Sequence, residues 1–194
     1  MNSDYKQTIS SEEIINFPVF VYKEEVVLIE DASKVDEAVN FLTSYSCIGF
    51  DTETRPAFRK GEHHKVCLLQ LAVQERVYLF RLNKCGFSHS LRNLLANEKI
   101  KKIGVGIRDD VKALQQLGPF IPQAFIDLQI FAEQFGIKEK SFSKLMAIIF
   151  QVKISKRQRT SNWEALQLTE SQIRYAATDA WGALKMYMQL KKDN

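Results

Sequence analysis

Cys47-Ile48-Gly49-Phe50-Asp51-Thr52-Glu53 is the stretch on which the fold turns. An apolar run that ends in two acids is a strand leading from the interior to an edge of the molecule. Side chains two apart on a strand share a face, so Asp51 and Glu53 project together, about 6.6 Å apart along the backbone. Two more extended runs follow, Val66 to Val73 and Val77 to Leu82. Only Gln74-Glu75-Arg76 separates them, which predicts an antiparallel hairpin. A helix around Leu91 to Leu95 precedes a fourth strand, Lys102-Ile103-Gly104-Val105. Helical periodicity resumes over Asp109 to Leu117, and a short fifth strand, Phe125-Ile126, precedes helices from about Leu128 and from Phe142. A meander followed by strands alternating with helices predicts an α/β fold, a mixed sheet with helices on its faces.

The flanks are simpler. Val26 to Ile29 reads as a short strand, and Ser33 with Asp36 opens a helix whose stripe is Val35, Ala38, Val39 and Leu42, a packing segment. At the other end Thr169 and Gln172 have capping-box spacing, and Ile173, Ala177, Ala180, Leu184 and Tyr187 form the buried stripe of the helix they open. Tyr175 and Asp179 sit four apart on an adjacent stripe and project from the same side.

The 194 residues, 45% hydrophobic and 26% charged, fit one globular domain, here residues 25–194 after a polar lead of residues 1–24. No apolar run approaches the roughly 18 residues of a spanning helix, and the first residues lack the pattern of an export signal, so a cytoplasmic location is expected. Cys47, Cys67 and Cys85 are odd in number and unpaired by CxxC spacing, against a disulfide framework or a zinc ribbon. His63, His64 and Cys67 make no zinc set, since Cys67 falls inside an apolar strand. The net charge of +4 permits a polyanionic partner without demanding one.

Three places could carry chemistry. Asp51 and Glu53 would raise each other's pKa unless a cation lies between them, and paired oxygen ligands suit Mg²⁺ or Mn²⁺. The plain alternative is a strand ending in solvent. Gly104-Val105-Gly106-Ile107-Arg108-Asp109-Asp110 passes from strand to helix, where an Asp is often simply a cap. Yet the C-terminal ends of parallel strands are where open α/β sheets place their sites. The glycines lack the third member of a dinucleotide fingerprint, and no GxxxxGK[ST] occurs, so no nucleotide cofactor is expected. Asp179, mid-helix among small residues, is either a solvated acid or a ligand beside the phenol of Tyr175. Taken together, acids from a strand end, a strand-to-helix junction and a helix are the ligand types of a two-metal phosphodiester-cleaving site.

These motifs resemble a known family. Ile48-Gly49-Phe50-Asp51-Thr52-Glu53, Lys102 to Ile107 leading to Asp110, and Tyr175-Ala176-Ala177-Thr178-Asp179-Ala180 are similar to the three motifs of the DEDD (DnaQ-like) 3′-to-5′ exonucleases. The Tyr four residues before the last Asp marks the DEDDy branch. Leu68-x-Gln70-Leu71 and the Trp163 to Leu168 approach resemble the ribonuclease D and Werner-syndrome-type exonuclease domains, over roughly residues 25 to 190. The resemblance implies a ribonuclease H-like fold with a five-stranded sheet ordered 3-2-1-4-5. It implies that Asp51, Glu53, Asp110 and Asp179 hold two divalent ions. Asp51 would bridge both, Glu53 and Asp179 would complete the first, Asp110 would act on the second, and Tyr175 would orient the attacking water. Chemistry alone leaves Asp109 against Asp110 open; the preceding GVGI favours Asp110. Asp127 is expected to be structural.

The implied reaction removes 5′-mononucleotides from the 3′ end of single-stranded or frayed DNA or RNA. Thr52 beside the acids and two basic runs would bind the strand: Arg55, Arg59 and Lys60 between the first two strands, and Lys156, Arg157 and Arg159 before the last helix. Phe58 and Trp163 offer faces for base stacking or for packing. A catalytically silent nucleic-acid-binding module and a protein-interaction domain are the rival readings.

Overall fold

The computed structural model describes residues 5–59 and 61–193. Six strands form one sheet: β1 (Glu25–Ile29), β2 (Cys47–Thr54), β3 (Val66–Ala72), β4 (Arg76–Arg81), β5 (Lys101–Gly104) and β6 (Phe125–Asp127), in the order β1-β4-β3-β2-β5-β6. The helices are α1 (Ser11–Ile15), α2 (Val35–Leu42), α3 (Leu82–Cys85), α4 (His89–Ala96), α5 (Arg108–Leu117), α6 (Leu128–Phe131), α7 (Phe142–Phe150) and α8 (Glu170–Lys192).

The expected order of five is present as β4-β3-β2-β5-β6, with β2, β3 and β4 antiparallel and β5 and β6 parallel to β2. The correction is a sixth strand. β1 joins the outer edge of β4 in parallel, from Glu25↔Arg76 to Ile29↔Phe80. A parallel edge pair has no hairpin turn to announce it, because the chain must cross over other strands between its members.

Strand alternation sorts the side chains into two layers. Ile48, Phe50, Leu69, Leu71 and Phe80 point to one face, where α2 and α4 deliver Val35, Leu42, Leu91 and Leu95. Leu68, Ala72, Val77 and Leu79 point to the other, under Ala176, Ala177 and Ala180 of α8. The cap of α8 follows the sequence: Thr169 Oγ1 accepts from Gln172 N at 3.2 Å, and Gln172 Oε1 accepts from Thr169 N at 2.9 Å. With both partners satisfied, the helix start is fixed.

Gly49 sets the depth of α8. A Cβ there would lie 2.0 Å from the carbonyl oxygen of Ala180, so helix backbone rests directly on strand backbone. The lead packs onto the same layer. Val19 bridges Lys153 in parallel, and Tyr22 N donates to Thr178 Oγ1 at 3.0 Å. No helix among the described residues is long and apolar enough to cross a membrane.

Gly49→Ala should cost about 1–3 kcal/mol, the usual range for overpacking a filled interior. The check is a lower urea midpoint at unchanged slope; an unaltered midpoint would show that α8 does not rest on β2 as described.

Candidate active site

β2 aims Asp51 and Glu53 at α8, on the face it shares with Gly49. Its pairing with β3 shifts register between Glu53 and Thr54, an irregularity that ends the ladder where the acids emerge. On α8, Asp179 directly precedes Ala180, so the close contact at Gly49 brings its carboxylate down beside Asp51. Ligand oxygens of Asp51, Glu53 and Asp179 all lie within 4.8 Å of one another.

Asp110 arrives from the β5–α5 junction. Gly106 turns with φ 71°, and a Cβ on Gly104 would meet Phe50 O at 2.8 Å, so the turn is pressed against β2. Asp127 holds it there, accepting from Gly106 N at 2.9 Å and Ile107 N at 3.3 Å. This is the structural role expected of that residue. The Thr52 hydroxyl donates to Asp110, which stands outside the three converging acids. Its neighbour Asp109 faces solvent, 3.7 Å from Lys112.

The electrostatics show what these acids lack. Burial first, then the negative charges of Asp179 and Asp110, push the Asp51 carboxyl well above its ordinary range. Burial, then Asp51, Asp179 and Asp110, raises Glu53 to about 10. Burial lifts Asp179 to about 7, offset in part by the Tyr175 hydroxyl. Asp110 is raised by burial, against which Thr52 works. The Tyr175 phenol is pushed far up by burial and by the charges of Asp179 and Glu53, which keeps it protonated. Asp179 Oδ1 is buried with no hydrogen-bond partner among the described residues. A hard divalent cation answers both findings, since it neutralises the repulsion and supplies the missing partner. The donor set fits.

Asp51, Glu53, Asp179 and Tyr175 line one wall of a cleft of about 400 Å³, whereas Asp110 lies behind Thr52 and outside the lining. Lys156 and Arg159 of the second basic run line it too, and Arg159 opposes the rise at Glu53. Arg157 borders an adjoining cavity, which shares Tyr175. From the first basic run, Arg55 pairs with Glu164 at 3.3 Å, Arg59 is exposed, and Lys60 lies outside the described residues. His64 stands between Glu62 (2.9 Å) and Glu164 (3.4 Å), tying that loop to the approach to α8. Phe58 is 79% exposed, whereas Trp163 is wholly buried and packs rather than stacks. Sequence reasoning missed the opposite wall, Gln129, Lys140, Ser141 and Ser143. Its polar residues clustered ahead of an apolar helix were the available signal.

Acids from a strand end and a helix gathered into one cleft, with a further acid at the adjoining strand-to-helix turn of such a sheet, are the arrangement of a ribonuclease H-like fold. A family model described as 3′-5′ exonuclease matches residues 26–193, and the chain belongs to that family. The bifunctional 3′-5′ exonuclease/ATP-dependent helicase WRN of Mus musculus is 35% identical over 167 residues, covering 82% of this chain and 12% of that protein. A 3′-5′ exonuclease of Arabidopsis thaliana is 30% identical over 193 residues, 91% of this chain and 67% of that protein. The Aedes aegypti Nibbler EXO domain superposes with a TM-score of 0.81 at 23% identity, over 90% of this chain and 92% of that one. Escherichia coli RNase D gives 0.76 at 22%, over 88% and 46%. These two show a shared fold.

Glu53, ordinarily ionised above about 4.5, stays protonated to about 10 in the folded chain, so the native state binds the extra proton and stability falls with rising pH across that interval. Without divalent cation the melting temperature should therefore drop between about pH 5 and 9. Added Mg²⁺ or Mn²⁺ should restore it most at the alkaline end. A flat or rising metal-free profile in calorimetry would contradict these electrostatics.

Proposed function

We propose that this chain hydrolyses phosphodiester bonds one at a time from the 3′ end of a single-stranded or frayed DNA or RNA strand, in the cytoplasm. The observation that carries the reading is the convergence of Asp51, Glu53 and Asp179 oxygens within 4.8 Å, at a cleft with cations on its rim. Asp51, Glu53, Asp110 and Asp179 would hold two divalent ions, Mg²⁺ or Mn²⁺. Bound there, the ions lower the pKa of water and stabilise charge on the scissile phosphate.

The chain's own groups do the rest. Tyr175, kept protonated, offers its O–H beside Asp179 to position the attacking water. Lys156 and Arg159 draw in the phosphates that the acids alone would repel. Thr52 holds Asp110 in place, and Arg55, Arg59, Lys60 and Arg157 extend the grip on the strand. Water adds across the P–O3′ bond: the terminal nucleotide leaves with the phosphate on its 5′ oxygen, and the shortened strand keeps a free 3′-hydroxyl.

Asp51→Asn and Asp179→Asn should each abolish turnover while strand binding persists. Tyr175→Phe should lower kcat about 10²–10⁴-fold, the range for a lost acid–base group, with little change in KM. The assay uses labelled DNA and RNA blocked at either end, with Mn²⁺, Mg²⁺ or chelator. Full activity in the Asp variants or under chelation would overturn the reading; so would products bearing a 3′-phosphate.

A further inference from the structure

β3 carries one polar side chain into an apolar layer. Gln70 is completely buried, flanked along its strand face by Leu68 and Ala72 and paired across the ladder with Leu79, yet neither its amide oxygen nor its amide nitrogen has a hydrogen-bond partner among the described residues. Burying an amide unpaired is costly, and a Leu or Met would fill the same space without that cost. Its other ladder partner is Asp51. Residues directly opposite in an antiparallel pair hold their Cβ atoms about 4.5–5.5 Å apart on one face, within reach of a glutamine amide.

Besides Asp179 Oδ1, two more buried atoms on this side of the sheet lack partners among the described residues, Nε of Arg81 and Nε1 of Trp163, both in wholly buried side chains. Arg81 lies opposite Leu68, one diagonal from Gln70. Its guanidinium is anchored by the carbonyls of Ala165 and Leu166, which follow Trp163 closely in the chain. Two donors, Arg81 Nε–H and Trp163 Nε1–H, and the acceptor Gln70 Oε1 are thus left over in one buried layer. The remaining donor, Gln70 Nε2, belongs to a side chain that shares its sheet face with its ladder partner Asp51.

We propose that Gln70 is a positioning residue for the catalytic cluster, holding the Asp51 carboxylate in its ligand orientation from the Arg81–Trp163 anchor through an enclosed water. The inference rests on Asp51 being a cation ligand. Groups that orient metal-binding carboxylates in this way are worth about 10–100-fold in metal affinity or activity.

The test is Mn²⁺ titration of the full chain, reading free Mn²⁺ by electron paramagnetic resonance, beside thermal unfolding and steady-state kinetics on a single-stranded oligonucleotide. Gln70→Leu and Gln70→Met should melt no lower than wild type in chelator, bind Mn²⁺ about 10-fold more weakly, and lose kcat with KM unchanged. Unaltered Mn²⁺ affinity in a folded variant would overturn the proposal, and so would a loss of stability with Mn²⁺ affinity intact. Asp51→Asn is the control. If it binds Mn²⁺ like wild type, the ligand assignment has failed rather than the role of Gln70.

Discussion

A helix carbonyl resting on a strand glycine governs everything functional in this molecule. At the crossing of Ala180 over Gly49 no side chain separates α8 from β2, and that closeness turns two remote parts of the chain into neighbours. Asp179 reaches Asp51 because the backbones touch. With a methyl group between them the sheet would still form, but the acids would meet at another distance. Small residues at 176, 177 and 180 are thus chosen for proximity more than for apolar area.

The arrangement works against the stability of the protein on its own. Carboxylates pushed together where water screens them poorly shed charge by taking up protons, and one oxygen stays without a partner. The neighbourhood absorbs this with rigid supports: Asp127 on the β5–α5 turn, Thr52 on Asp110, and the Arg55–Glu164–His64–Glu62 chain that ties the β2–β3 loop to the approach to α8. These contacts keep the cluster assembled without adding positive charge inside it.

Much of this was legible in the amino-acid sequence, for physical reasons. The period of two placed Asp51 and Glu53 on one face, and the capping box at Thr169 and Gln172 fixed where α8 begins and hence which way Tyr175 and Asp179 point. Asp110 was separable from Asp109 by motif but not by chemistry; the Thr52 hydroxyl and the Lys112 contact distinguish them only in three dimensions. β1 was read as a strand, but its place beside β4 was hidden, because parallel pairing across a crossover leaves no local mark. The sequence leaves Trp163 open between stacking and packing because an aromatic among cations has the same composition whether it faces a base or the core; burial decides for packing. The cleft's far wall, at Gln129 and Lys140 to Ser143, lies at the starts of two predicted helices, but nothing local in the sequence shows that those starts meet the acids.

The lead before β1 has a reach out of proportion to its modest secondary structure. Through Tyr22 it grips the hydroxyl of Thr178, the residue next to Asp179, and through Val19 it pairs with Lys153, where the second basic run begins. One strap therefore spans both the acid-bearing helix and the cationic arm. Anything pulling on the start of the chain, whether a fused domain, an affinity tag or a tether to a surface, would transmit its load to both jaws of the cleft at once.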